Sequence, residues 1–405
     1  MKTTFRSLAN YNYRLWAAGA FISNIGTWMQ RTAQDWIVLT ELTQHDATAV
    51  GIVMSLQFGP QFLLLPLTGA VADRYDRRRV LFFTQSAMGL LALGLGVLTL
   101  TGAVELWHVY LFALLLGCTT AFDSPTRQSF VSELVGDAHL SNAVALNSTS
   151  FNAGRLVGPA VAGVLIAWVG SGWVFVLNAL SFAGVLAALV YLRPAEFHPR
   201  ASTGVQSSGL MDGLRHVWAR GELRTVLFMF FLIGTFGLNF PIYISTMAVS
   251  VFAVGAREFG LLTSSMAVGS VTGALLSAGR DKPRMGLLVG AAVAFGVALL
   301  TAAAMPTYRW FAVALFFAGL STQTFTTTAH SAAQLWSDPF LRGRVIALVL
   351  AVSAGGTPLG APLIGLVANR LGARWALVAG AMSGLVAAAV GAVVLVRRRR
   401  TANLP

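Results

Sequence analysis

Asn24, Trp28, Arg31 and Asp35 recur at helical spacing, so one face of an α-helix would carry all four. An arginine one turn before an aspartate lies within ion-pairing reach. The surrounding residues, 14–38, form an apolar run long enough to cross a bilayer. In such low dielectric, a carboxylate paired with arginine can exchange that partner for a proton or a cationic ligand. The same pair can equally be a permanent structural contact about one turn from water, and the residues leave both readings open. Among the fifteen acids of the chain, Asp35 is the one inside an apolar run, with Asp73 and Asp123 at the ends of others. The second half has no embedded carboxylate. Any proton coupling would therefore fall to the first half, with Asp35 and Arg31 carrying it.

Three further sets could do chemistry. Arg155 sits in the middle of an apolar run, where an unpaired charge costs several kcal/mol. It either binds an anionic ligand or pairs with an acid such as Asp123. Near it, Gly154, Gly158 and Gly163 permit close helix contact and Pro159 bends the helix. Ser321, Thr322, Gln323, Thr324, Thr326, Thr327, Thr328, His330 and Ser331 crowd into a few turns of another run. Hydroxyls there either line a cavity or satisfy their own helix carbonyls. Asn239, Pro241 and Tyr243 supply polar groups from a further run, and Phe21, Trp28, Phe122, Phe240 and Phe325 supply apolar walls for an amphipathic ligand. The cavity set is thus Asn24, Trp28, Arg155, Asn239, Tyr243, Gln323, Thr327 and His330.

The elements that must position these groups follow from composition. Of 405 residues, 56% are hydrophobic and 11% charged, with a mean hydropathy of +0.70. Such a chain is solvated by lipid. Spanning runs fall near 14–38, 49–72, 79–101, 106–124, 141–168 and 172–192, then near 223–252, 258–279, 284–304, 309–331, 344–368 and 373–396. Twelve helices of about 20 residues suit a bilayer core about 30 Å thick. If the N-terminus lies inside, 22 basic residues fall in inner segments and four, Arg257, Arg309, Arg370 and Arg374, in outer loops. This bias predicts cytoplasmic termini. It also explains the net charge of +13 without nucleic acid. No cleavable signal peptide is read, and the single Cys118 permits no intrachain disulfide or cysteine metal cluster.

The predicted organisation is an N-terminal six-helix half (1–193), a cytoplasmic linker (194–222), a C-terminal six-helix half (223–396) and a basic tail (397–405). Leu210, Leu214, Val217 and Trp218 predict a short amphipathic helix in the linker. At a constant offset of 202 residues, Gly154, Gly158, Gly163, Gly170 and Trp173 align with Gly356, Gly360, Gly365, Gly372 and Trp375, and Ala145 and Leu146 with Ala347 and Leu348. Two parallel repeats of six helices with a site between them describe an alternating-access carrier.

Gly69, Asp73, Arg74, Arg77 and Arg78 lie in the stretch GAVADRYDRRR, between the second and third apolar runs. This stretch resembles the signature loop of the major facilitator superfamily, with Asp76 where the pattern has glycine. GRLVGPAVAG, residues 154–163, is similar to the fifth-helix motif of exporters in that superfamily, with Ala162 replacing one glycine. FDSPTRQSFVSELV and GTWMQRTAQDWIVLTEL look like the subgroup of the enterobactin exporter and macrolide-efflux carriers. The resemblance implies that Asp73 caps the eleventh span and that Arg77 reaches Asp123, with Arg74, Arg78 and Arg127 completing a gate. The same arginines can also serve only to anchor topology.

The expectation is an all-α integral membrane protein of the bacterial inner membrane, a monomer without cofactor or metal. It would export an amphipathic small molecule (drug, antibiotic or siderophore-like) by alternating access in exchange for protons. No nucleotide-binding loop or nucleophile constellation points to an ATP-driven pump or an enzyme. The rival readings are an uptake symporter or lipid flippase of the same fold, and a non-transporting receptor or assembly partner.

Overall fold

The computed structural model describes residues 5–64, 67–68, 71, 74–198, 210–278, 283–338 and 341–402, and every long element among them is helical. The helices are α1 (Tyr11–Ile37), α2 (Ala47–Leu63), α3 (Arg77–Leu100), α4 (Leu106–Gly136), α5 (Ala138–Val169) and α6 (Ser171–Tyr191). They continue with α7 (Leu210–Ala219), α8 (Gly221–Val251), α9 (Ala256–Ala278), α10 (Met285–Ala304), α11 (Tyr308–Leu335), α12 (Arg342–Leu371) and α13 (Ala373–Ala402). Among the described residues, nine are long and apolar enough to cross a membrane: α3 to α6, α8 to α10, α12 and α13. The chain is a multi-pass membrane protein. Of the others, α2 is a shorter apolar helix. The long helices α1 and α11 carry most of the candidate chemistry, and their polar side chains lower their hydropathy.

One boundary differs from the sequence expectation. The polar interval after residue 124 is not a loop, because α4 runs to Gly136, where φ of 64° turns the backbone into α5. A side chain at Gly136 would meet the His198 imidazole at 3.0 Å. His198 in turn donates its backbone N–H to the Glu133 carbonyl at 2.8 Å, so the segment after α6 closes this corner.

The chain divides into two compact units. One comprises Met1–Gln44, Gly59–Val205 and Gly255–Ser264; the other comprises His45–Phe58, Gln206–Val254 and Ser265–Pro405. In the first, Tyr13, Trp16, Phe130, Leu134, Val185 and Leu189 form a buried cluster joining α1, α4 and α6. Trp16 meets Phe130 edge-on at 5.4 Å. In the second, Arg374 at the start of α13 donates to the carbonyls of Ala303 (2.6 Å) and Met305 (3.1 Å), which end α10. The side chains of α7 diverge: Val217 is buried and Trp218 is 61% exposed.

Among the tight helix crossings, one in each unit matches the other residue for residue. In the first unit, α5 crosses the start of α9. A Cβ at Gly163 would lie 2.5 Å from the Ala256 carbonyl, a Cβ at Gly260 would lie 2.3 Å from the Pro159 carbonyl, and Ser264 Oγ donates to the Leu156 carbonyl at 2.7 Å. In the second unit, α12 crosses α2. A Cβ at Gly365 would lie 2.5 Å from the Ala47 carbonyl, a Cβ at Gly51 would lie 2.5 Å from the Ala361 carbonyl, and Ser55 Oγ donates to the Pro358 carbonyl at 2.6 Å. Residues 156, 159 and 163 recur at 358, 361 and 365, the 202-residue offset read in the sequence. Residues 47, 51 and 55 recur at 256, 260 and 264, an offset of 209. Small residues let these backbones touch. Serine supplies the polar contact, and at Pro358 it replaces the donor that Pro362 lacks.

Candidate functional site

In the first unit, α1 and α5 run side by side in the same direction, which brings the cavity candidates of this half together. Tyr13 Oη donates to the Ala143 carbonyl (2.8 Å) and Asn24 Nδ2 to Ser150 Oγ (2.9 Å). A Cβ at Gly154 would lie 2.9 Å from the Asn24 backbone, and one at Gly158 would lie 2.6 Å from the Trp28 Cβ. These close approaches set the Trp28 ring against Phe151, edge-on at 5.7 Å. The Arg31 guanidinium lies over Trp28 at 5.0 Å. Asp35 follows one turn later, near enough for its charge and that of Arg31 to act on each other. Among the described residues Asp35 makes no ion-pair contact within 4 Å, so the close pair expected from spacing is not formed. Arg155, on the neighbouring turn of α5, is half-buried and takes no partner among the described residues.

The gate candidates separate into distinct contacts. Arg77 Nη1 pairs with Glu133 Oε1, with side chains 12% and 17% exposed. The expected partner, Asp123, is committed elsewhere. Its oxygens accept from Thr84 (2.8 Å), Gln85 (2.6 Å) and Arg127 (2.9 Å). This corrects the Arg77–Asp123 contact and excludes the alternative in which Arg155 pairs with Asp123. The physical reason is the longer α4, which lifts Glu133 out of an assumed loop and onto a helix opposite Arg77. Arg78 donates to the Leu189 and Val190 carbonyls at 2.8 and 3.1 Å, closing the end of α6. Arg74 is exposed. Asp73 and Gly69 lie outside the described residues, as do Gly279, Arg280, Asp281 and Lys282.

In the second unit, α8 is broken at Leu238 and Asn239, between a π-turn (Ile233–Gly237) and the helical segment beginning at Phe240. Asn239 and Tyr243 are fully buried. Asn239 Nδ2 donates to the Thr235 carbonyl (2.8 Å), and Tyr243 Oη donates to the Phe236 carbonyl. These two residues stabilise the break and face no open cavity here, which corrects their expected placement. Most hydroxyls of α11 bond back within the helix: Ser321 to Phe317, Thr324 to Leu320, Thr326 to Gln323 and Thr328 to Thr324. The accessible strip of α11 is narrower than the sequence suggests. It consists of Gln323, Thr326, Thr327, His330 and Ser331, all half-buried, with Gln323 Nε2 donating to Thr327 Oγ1 at 3.1 Å. His330 rests edge-on against Phe230 at 5.3 Å.

Two further contacts escaped the sequence reading. Asp46, taken as a loop acid, caps α2 by accepting from the Thr48 and Ala49 N–H groups. It also meets Asn369 of α12. The paired Ala-x3-Gly-x3-Ser strings at 47–55 and 256–264 were the available signal for the repeated crossing.

The sequence model of the transmembrane secretion effector family, a branch of the major facilitator superfamily, matches residues 2–404. The chain belongs to this family. It is 27% identical over 366 residues to the staphyloferrin A transporter of Staphylococcus aureus, covering 88% of this chain and 89% of that protein. Identity to the multidrug efflux pump Tap of Mycolicibacterium fortuitum is 27% over 367 residues, covering 87% and 88%. Identity to the enterobactin exporter EntS of Salmonella choleraesuis is 26% over 364 residues, covering 88% and 86%. These relatives are transporters. The fold is similar to that of a bacterial homolog of the human lysosomal transporter Spinster, with a TM-score of 0.74, 16% identity, and coverage of 94% and 96%.

Proposed function

We propose that this chain exports an amphipathic small molecule of the drug or siderophore type across the bacterial inner membrane by alternating access, in exchange for protons. The observation that carries this reading is the match of nearly the whole chain to a family of secretion effectors, with relatives that include a multidrug efflux pump and an enterobactin exporter.

In this reading α1 to α6 and α8 to α13 are twelve spans in halves 1–193 and 223–396, joined by the linker 194–222. The basic residues hold both termini, including the tail 397–405, in the cytoplasm. Asp35 is the proton-coupling carboxylate and Arg31 its exchangeable counter-charge. A carboxylate close to arginine but not bonded to it can gain or lose a proton without breaking a fixed network. The substrate-contact residues of the first half are Asn24, Trp28 and Arg155, and those of the second half are Gln323, Thr327 and His330. Asn239 and Tyr243 support the broken α8, the kind of discontinuous helix that transporters place at their sites. Asp73, Arg74, Arg77, Arg78, Asp123 and Arg127, with Glu133 added, form the cytoplasmic gate. The two matched crossings, α5 on α9 and α2 on α12, form the opposing gate. The carrier acts as a monomer.

The test is a deletion strain loaded with fluorescent dyes and siderophores, with and without a protonophore. Retention in the deletion strain that a protonophore reproduces in wild type supports proton-driven export. Depletion of the compound would point to uptake, and no change in either direction would point to a receptor.

A further inference from the structure

We propose that Arg155 is the counter-charge for an anionic substrate, a carboxylate- or phenolate-bearing amphipath held against the strip of α5 that lies between its contacts with α1 and α9. This deepens the carrier reading above and rests on it.

Arg155 lies about midway along α5 with no hydrogen bond or ion pair to any described residue. A guanidinium facing lipid at that depth would cost several kcal/mol, so the side chain must meet protein or a wet cavity. Two acids of this unit are engaged elsewhere, Glu133 with Arg77 and Asp123 with Arg127, Thr84 and Gln85, and Asp35 makes no ion pair with Arg155. Among the described residues no carboxylate is left to pair with Arg155, which leaves the guanidinium open to an anionic ligand.

Position on α5 indicates where it comes from. Residues 150, 154 and 158 face α1, and residues 156, 159 and 163 face α9. Phe151, Arg155 and Ala162 share the strip between those two contact faces. Along this strip Phe151 is 47% exposed, Arg155 is half-buried and Ala162 is fully buried. Arg155 therefore stands between an exposed and a buried position of this strip. The edge-on Trp28–Phe151 pair lies one turn below it and offers an apolar wall. Charge above and aromatic surface below suit an amphipathic anion.

The repeat separates this role from packing. Gly154, Gly158 and Gly163 recur as Gly356, Gly360 and Gly365, but the position equivalent to Arg155 is Thr357. The scaffold that brings these helices together is the same in both halves and does not need the arginine.

The test uses the full-length protein in lipid nanodiscs, with thermal unfolding followed in salicylate and in its neutral analogue salicylamide. Salicylate should raise the wild-type midpoint while salicylamide does not. Arg155→Thr, which installs the residue of the equivalent helix, should unfold at or above the wild-type temperature without ligand. It should bind salicylate about tenfold more weakly or worse, as expected for one lost charge-assisted hydrogen bond. Arg155→Lys should keep most of the effect. A wild-type midpoint indifferent to salicylate, an Arg155→Thr protein that responds like wild type, or an Arg155→Thr protein markedly less stable would each overturn the assignment. Dye export from cells is measured alongside. A wild type that exports dye but ignores salicylate overturns the anion site alone. A wild type that exports nothing yet shows Arg155-dependent salicylate binding overturns the carrier reading alone.

Discussion

Asn369 of α12 donates from Nδ2 to the Asp46 carboxylate at 2.5 Å and accepts from the Ala47 backbone N–H at 2.8 Å. The same Nδ2 reaches Thr48 Oγ1 at 2.9 Å. One amide side chain thus ties the first turn of α2 to the far end of α12, just beyond the Gly365–Ala47 crossing. Asn369→Ala should loosen this end while Asp46 still caps α2, at a stability cost of about 1 kcal/mol. Spin labels at residues 47 and 371 should report a broader, longer distance distribution in the variant. An unchanged distribution would show that the backbone crossing holds this end by itself.

The Arg77–Glu133 pair is sheltered enough to matter energetically. Glu133→Gln should destabilise the first unit by about 1–3 kcal/mol, because Arg77 loses its carboxylate while remaining half-buried. In a double-mutant cycle with Arg77→Gln, the double variant should lose clearly less than the sum of the singles. Additive losses would mean that the two side chains act independently.

At the matched crossings, Gly51→Ala and Gly260→Ala should have matching effects. Each added methyl would collide with a carbonyl oxygen, of Ala361 and Pro159 respectively. The helices must separate or shift, costing about 1–3 kcal/mol each. Export should fall in both variants while both still insert in the membrane. Gly184→Ala, where an added methyl meets nothing within 4 Å, serves as the control and should export normally. A normal rate in either crossing variant would show that the gap can relax.

Asp35→Asn should abolish flux driven by a pH gradient in proteoliposomes while leaving the melting temperature near that of wild type. Asparagine keeps the size of the side chain and removes the titratable oxygen. Proton-driven flux at the wild-type rate would remove Asp35 from the coupling role.

Much of the fold was legible because membrane spans are written locally. A run of about 20 apolar residues must be helical in lipid, whatever surrounds it. The runs proposed for the third and sixth spans, 79–101 and 172–192, therefore lie close to α3 and α6. The extension of α4 was not legible. Glu133 looks like a loop charge, and Asp123 like the partner of Arg77, until Arg77 is seen opposite Glu133 and Thr84 and Gln85 opposite Asp123. The polar strip of α11 was overread for the same reason: a hydroxyl in the sequence does not say whether it turns to a cavity or to its own carbonyl.

By itself the sequence determined the family, the helical class and the candidate charges, since each follows from residue type and short-range spacing. The 202-residue repeat was also in the sequence, although the helix crossings it builds were not. Only the tertiary structure decided which charge meets which: Glu133 rather than Asp123 for Arg77, Asn369 for Asp46, and no partner among the described residues for Arg155. Ion pairs between helices depend on the rotation and depth of each helix. Those are fixed by packing between segments far apart in the chain, at glycines where a tenth-of-a-nanometre difference decides contact, and no local pattern records them.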